Sequence, residues 1–429
     1  MKLRGNLILF SILFCVIDMI TAFATASTTS LQTSLSLQEC IKMTMENNLS
    51  IKSAEAEYKS IKELEGVASS GNLPEVSASI SATRSYSELS SPLVQNNISG
   101  VLSVSQNLFS GFLDENKIKE ARVKTLIAKI NLKQVKIKIS SDLKQAYYQY
   151  QYAFELTKLS KKILDRRKDN LKNVELMFSS GRENKGSFLV SEAYFQQAQF
   201  ELKQTEVMLK NSQSSLYSVI GLAEPEEILP PDPLLLVPVV LEKPQFKELA
   251  KASLEYQLTQ QQEEAARIVI EKAKSAYYPS LVLSGNTGKY DENFPLNYNK
   301  WFLGLSLTVP LYSGGRDSAQ YHSSLEQWKS EQIKTRNKEN ELVTKLKSTF
   351  SKYELSIEKY KVDEKFEFAG KMRSEIGKQK YNNGLMKFED WNTIENDLIL
   401  REKTTLSSKN DILVSEVNWE KEKGVGVFE

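Results

Sequence analysis

The sequence predicts a mostly α-helical fold with a small β part. Two tandem copies of a long-helix unit build a closed palisade of helices, an α-barrel, and four strands per chain contribute to a membrane barrel. Three observations predict it. The first is a shortage of helix breakers. The 429 residues hold 18 glycines and 11 prolines, against a usual combined share of about 12%. Neither occurs from Phe112 to Ser180 or from Arg316 to Ala369, which excludes a loop-rich α/β enzyme with short elements. The second is an internal repeat. Leu102-Ser103-Val104-Ser105-Gln106-Asn107-Leu108-Phe109-Ser110-Gly111 aligns with Leu305-Ser306-Leu307-Thr308-Val309-Pro310-Leu311-Tyr312-Ser313-Gly314 at an offset of 203, which also pairs Phe178-x-x-Gly181 with Tyr381-x-x-Gly384. The third is strict alternation of apolar and small polar residues in short segments just before each breaker-free block.

Composition closes other doors. With 56 basic and 54 acidic residues, no nucleic-acid surface is indicated. One histidine, His322, and two cysteines, Cys15 and Cys40, leave little for a metal site or for Cys/His catalysis. No phosphate-binding loop or convergent Ser/His/Asp set is evident. The expectation is no enzyme and no cofactor, with His322 a surface residue without chemistry.

The elements follow in chain order. Lys2 and Arg4, the apolar run Leu7 to Ile20 and Ala24-Thr25-Ala26 read as a cleaved export signal over residues 1–26. The run of ~14 residues falls short of the ~20 needed to span a bilayer. Phe14 before Cys15 is too bulky for lipoprotein processing, so no lipidation is expected, and Cys40 is a free thiol buried as a small hydrophobe. The first unit occupies residues 27–222: a helix from Ser36 to Ser70, two strands, the long helix, a turn at Gly181, and a returning helix from Ser187 to Ile220. The proline-rich segment 223–245 is an extended linker. The second unit, 246–423, repeats the plan with a helix from Phe246 to Ala276, a turn at Gly384 and a returning helix from Phe388 to about Glu422. A short tail, 424–429, follows.

The strands set the environment. Val76, Ala78, Ile80 and Ala82 alternate with Ser77, Ser79, Ser81 and Thr83; Ile98, Gly100, Leu102 and Val104 alternate with serines. Leu281, Leu283 and Gly285 form a weaker set, and Trp301, Leu303, Leu305, Leu307 and Val309 a strong one. Segments of ~10 residues with period two fit membrane-barrel strands, with Tyr86, Tyr290, Tyr298 and Trp301 as interfacial aromatics. A soluble hairpin with one buried face would show the same alternation; the export signal favours the barrel. Four strands cannot close a barrel, and open edges cannot sit in lipid. Several chains must therefore share one, with cyclic symmetry.

The long helices point the same way. At ~1.5 Å rise, each spans roughly 100 Å. Ile118, Ala121, Thr125, Ala128, Leu132, Val135 and Ile139 form one seam, and Val123, Ile127, Ile130 and Ile137 a second. Two seams mean neighbours on both sides. Leu342, Leu346, Phe350, Tyr353, Ile357 and Tyr360 carry the stripe in copy two. A compact bundle is the competing reading, but rarely needs helices this long.

Taken together, the export signal, the tandem repeat, the junctions Asn107-Leu108-Phe109-Ser110-Gly111 and Val309-Pro310-Leu311-Tyr312-Ser313-Gly314-Gly315, and the tips Phe178-x-x-Gly181 and Tyr381-x-x-Gly384 with Phe388-Glu389-Asp390 resemble a TolC-type outer-membrane efflux protein. The resemblance covers nearly the whole chain after the signal. It implies a homotrimer with a twelve-stranded barrel in the outer membrane of a Gram-negative bacterium and a helical tunnel through the periplasm. It implies a passive exit duct for efflux or type I secretion, docked on a periplasmic adaptor and an inner-membrane pump of RND or ABC type. The tips Gly181 and Gly384 are the implied adaptor contacts. The implied periplasmic gate comprises Tyr381 and Asp390, with Glu389 beside it.

Two positions depart from the family pattern: Met386 stands where an arginine partner is expected and Thr393 where some members have a second aspartate. As plain helix-start carboxylates, Glu389 and Asp390 equally suit the dipole. Copy one reads as carrying two extra residues after its glycine, so its tip is expected to differ in shape. Gly370 and Gly377, unmatched in copy one, are expected either to bend the second long helix on opening or to be merely tolerated. The competing function is a soluble periplasmic coiled-coil scaffold or adaptor.

Overall fold

The computed structural model describes residues 35–88, 93–234 and 242–428. The predicted export signal and the middle of the proline-rich linker lie outside them. The first helical stretch is not one helix but two, α1 (Leu37–Asn47) and α2 (Leu49–Ser70). Asn48 divides them with extended backbone (ψ 120°), accepts from the Ile51 N–H at 3.0 Å and donates to the Val219 carbonyl at 2.7 Å. Copy two repeats the break: Ser253 separates α5 (Phe246–Ala252) from α6 (Leu254–Lys274) and caps it through the Tyr256 N–H at 3.2 Å. Short polar side chains that satisfy a new helix start override continuous periodicity.

Strands β1 (Glu75–Ser87), β2 (Leu93–Ser110), β3 (Ser280–Asp291) and β4 (Tyr298–Thr308) form one antiparallel sheet in that order. Register fixes its faces. Val76 pairs with Val104 and Ala78 with Leu102, while Leu281 pairs with Leu307 and Leu283 with Leu305. On this apolar face no described residue covers Ile80 or Trp301, and the two are 89% and 77% exposed. On the opposite face, Ser77, Ser103, Asn286 and Phe302 share one row. The outer edges of β1 and β4 have no partner among the described residues.

Each strand pair leads into a long helix through two consecutive left-handed residues, Gly111–Phe112 and Gly314–Gly315. A side chain at 111 would meet the Ser275 carbonyl oxygen at 2.7 Å, so only glycine fits. Phe112 is the one non-glycine at positive φ among the described residues (67°). Its ring packs edge-on against Phe109 (5.2 Å) and Tyr278 (5.5 Å), contacts that offset the left-handed strain.

The long helices α3 (Leu113–Ser179) and α7 (Arg316–Asn382) each have 67 residues. The returning helices α4 (Lys185–Ile220) and α8 (Phe388–Lys423) each have 36. Every boundary obeys the 203-residue offset. Copy one therefore has no extra residues after Gly181, contrary to expectation. Asn184, whose side chain caps the Ser187 N–H at 2.9 Å, starts the helix at Lys185 rather than Ser187.

Near the sheet, α3 packs between α2 and α6, with α7 beyond α6; farther away it packs between α4 and α8, with α7 beyond α8. Val123, Thr125, Ala128 and Ile139 are buried, as are Leu342, Leu346, Phe350 and Tyr353 in copy two. Irregular segments pack on the middle of α3. The Tyr147 hydroxyl donates to the Leu35 carbonyl at 2.9 Å, Gln151 to the Asp232 carbonyl at 2.7 Å, and the Val427 N–H to Ser140 Oγ at 2.9 Å. Cys40 is fully buried in the adjoining core between α1, α3 and α4, and burial pushes its thiol up to about 12. No described helix is long and apolar enough to cross a membrane, which bears on helices and not on strands.

Candidate functional site at the helix-hairpin tips

Both long helices end the same way. Gly181 (φ 72°) and Gly384 (φ 71°) are left-handed. The Arg182 N–H donates to the Met177 carbonyl and the Leu385 N–H to the Lys380 carbonyl, each at 2.8 Å. The Gly181 and Gly384 N–H groups donate to Phe178 and Tyr381 at 3.0 and 2.9 Å. This is the Schellman arrangement, in which glycine relieves the steric penalty of the reversal.

An aromatic stack spans each turn at matching positions: Phe178 on Phe188 (5.7 Å, 13°) and Tyr381 on Trp391 (4.3 Å, 9°). Their settings differ. Phe178 is 39% exposed, whereas Tyr381 and Trp391 are buried with Val174 and Phe388. Met386 packs onto this cluster, so the residue at the expected arginine position contributes apolar contact.

The two tips touch. The Tyr381 hydroxyl donates to Glu183 Oε2 at 3.0 Å, and Asn173 Nδ2 donates to Asn382 Oδ1 at 2.7 Å. Burial first, then the Glu183 hydrogen bond and the Glu183 and Glu389 charges, push the Tyr381 phenol well above its usual value, keeping it a donor at neutral pH. Asp390 and Glu389 lie exposed in the first turn of α8. Asp390 makes no hydrogen bond or ion pair with a described residue. The Thr393 hydroxyl donates to the Glu389 carbonyl at 2.8 Å. Of the predicted gate residues, then, Tyr381 is engaged, Glu389 acts on it through charge, and Asp390 stands apart.

Above the tips, a polar network crosses the α3–α8 seam. Arg166 forks onto Glu402 at 3.1 and 2.7 Å. Glu395 is 3% exposed. It accepts from the Ser374 hydroxyl, but its Oε2 lies 3.8 Å from Arg166 Nε and neither atom has a hydrogen-bond partner. Arg167 donates to Asn396 and stacks over Tyr194 at 4.7 Å. Gly370 and Gly377 face α8 here: side chains would meet Leu398 at 3.7 Å and Ile394 at 3.2 Å. The helix runs through both without a break. Gly377 serves close packing of α7 on α8, a third role beside the bend and the tolerated glycine expected from sequence, whereas Gly370 leaves ordinary contact distance.

With this geometry established, the chain was compared with known proteins. A family model described as outer membrane efflux protein matches residues 40–222 and 247–418. The chain belongs to the outer membrane efflux protein family. Comparison with the curated proteins returns no match. Among solved structures, this efflux protein is similar to a membrane protein from Pseudomonas aeruginosa (TM-score 0.81, 15% identity, 92% of each chain covered). It is also similar to the open state of the MtrE outer membrane channel of Neisseria gonorrhoeae (0.80, 18%, 91% of this chain and 89% of that one). A third is the outer membrane protein VceC of Vibrio cholerae (0.79, 16%, 92% and 97%). At these identities the likeness establishes the fold, and the family match establishes an outer-membrane efflux duct.

Sequence reasoning missed Glu183 and Trp391. Glu183 sits in a turn misread as an insertion. Trp391 could have been found, because the offset that pairs Gly181 with Gly384 also pairs Phe188 with Trp391 and Phe178 with Tyr381.

Proposed function

We propose that three copies close a twelve-stranded barrel in the outer membrane and a helical tunnel below it. The assembly is a passive exit duct with no reaction of its own. The observation that carries this is the protomer's two open flanks: the free β1 and β4 edges beneath an uncovered apolar face, continued by the outward sides of α4 and α7. Phe200 on α4 is 69% exposed, and Ile333 and Phe368 on α7 are 67% and 66% exposed. Such edges are stable in lipid only when paired, and a cyclic assembly pairs β4 of one copy with β1 of the next.

In this reading the tips, marked by Gly181 and Gly384 and by exposed Leu176 (61%) and Leu385 (76%), meet a periplasmic adaptor fed by an inner-membrane pump of RND or ABC type. The Tyr381–Glu183 bond holds the two hairpins of each protomer together at the mouth, with Glu389 and Asp390 as its acidic rim. Site-specific photo-crosslinking from Leu385 in intact cells tests the docking. A cross-link to a periplasmic adaptor is expected, and adducts confined to the cytoplasm or the medium would contradict it.

A further inference from the structure

On the sheet face opposite the apolar one, the described residues beyond Glu75 are small or neutral along β1 and β2, among them Ser77, Ser79, Ser81, Gln95, Asn97, Ser99 and Ser103. Strand β4 differs. At the positions matching Gln95, Asn97 and Ser99 in copy one it carries Tyr298, Lys300 and Phe302. The fold does not demand this, because copy one builds the same strand without it. Tyr298 lies beside Tyr290 (5.6 Å), Lys300 is exposed, and Phe302 is 51% exposed. The Phe302 ring lies along the strand over Gly304, where any side chain would run into it.

Register places these groups together. Ser79, Val101, Gly288 and Lys300 form one row, and Ser77, Ser103, Asn286 and Phe302 the adjacent one. Among described residues, the charged members of this face are Glu75, at the helix end of the sheet, and Lys300. Lys300 forms no ion pair with a described residue. The carboxylates at the rim of its recess are Asp291 and Glu292; Asp291 is engaged by its own loop, accepting from the Glu292 N–H at 2.8 Å and from Asn297 Nδ2 at 3.0 Å. The other strand cations, Arg84 and Lys289, fall in step with the apolar set, on the face away from Lys300.

We propose that Lys300 and Phe302 are specificity-determining residues of the exit lumen, a ring of cations above a ring of aromatic faces that favours anionic, aromatic-bearing cargo in the last stage of passage. The inference rests on the barrel reading, which turns this face to the lumen. A charged ring in a narrow, low-dielectric wall concentrates ions of opposite sign, and an aromatic face adds sequence-tolerant contact for planar groups.

Thiol labelling of the purified full-length protein in liposomes tests it, and buried Cys40 leaves the background low. In Ser103→Cys, the anionic sulfonatoethyl methanethiosulfonate should gain on the cationic trimethylammonioethyl reagent by about threefold relative to a free thiol, a modest factor because salt screens the field. Lys300→Gln should abolish that gain. Benzyl methanethiosulfonate should gain on the methyl reagent, and lose the gain in Phe302→Leu, which still covers Gly304. Ratios equal to the free-thiol values, or unchanged in both variants, would overturn the proposal. Leu305→Cys separates the two levels. If it reacts with charged reagents as fast as Ser103→Cys, the barrel reading itself fails; if it is protected, only the Lys300 and Phe302 roles are at stake.

Discussion

The Tyr381 hydroxyl and the Glu183 carboxylate, 198 positions apart in sequence, meet at 3.0 Å between the two hairpin tips. A hydrogen bond to a charged partner contributes about 1.5–3 kcal/mol. Tyr381→Phe keeps the stack on Trp391 and removes the bond. It should raise the open probability of the channel by roughly tenfold or more, read from single-channel records. Glu183→Gln keeps an acceptor and should have a smaller effect. Identical records for all three proteins would remove this pair from the mouth.

The Glu395 site predicts an unusual order of stabilities. Its Oε2 has no donor, so Glu395→Gln should be neutral or stabilising. Arg166→Met strips Glu402 of its fork and should destabilise by up to about 3 kcal/mol. Thermal unfolding of the two variants checks the order, and a larger loss for Glu395→Gln would contradict it.

Gly370 and Gly377 separate packing from bending. Space at Gly370 is ordinary, so Gly370→Ala should stabilise by about 0.5–1 kcal/mol through helix propensity. Gly377→Ala meets Ile394 at 3.2 Å and should lose that gain. Both should gate normally. A Gly370→Ala channel that cannot open would restore the bend.

Much of this architecture was legible in the sequence because its signals are local or periodic. The alternation at Val76 to Thr83 and Trp301 to Val309 marked the strands, and the breaker-free blocks and tip glycines marked the long helices. The breaks at Asn48 and Ser253 were lost because one side-chain cap outweighs a continuing apolar stripe. Glu183 and the Arg166–Glu395–Glu402 network were not legible, because their meaning lies in contacts between α3, its turn and α7 or α8 that the repeat does not encode. Ser187 was a departure from the offset, which maps Phe388 back to Lys185, where Asn184 caps the helix.

Glu416 gives a pH dependence. Burial first, then the neighbouring Glu420 charge, raise its carboxyl above the usual 4.5, against the Tyr353 hydrogen bond and the Lys144 and Lys423 charges. A raised carboxyl favours the folded state when protonated, so its contribution is complete below about 4.5 and is lost as pH rises through its folded value. Glu416→Gln should therefore unfold at a higher temperature than the parent at pH 7, with the two curves converging near pH 4. A deficit at pH 7 would show that the Lys144 and Lys423 attractions dominate.

This chain should close into a conducting duct only as several copies. Planar-bilayer recording of the detergent-purified protein, with its mass measured in the same sample, tests it most directly. A trimer giving discrete conductance steps is expected. A stable monomer, or a trimer that never conducts even with Tyr381→Phe, would contradict it.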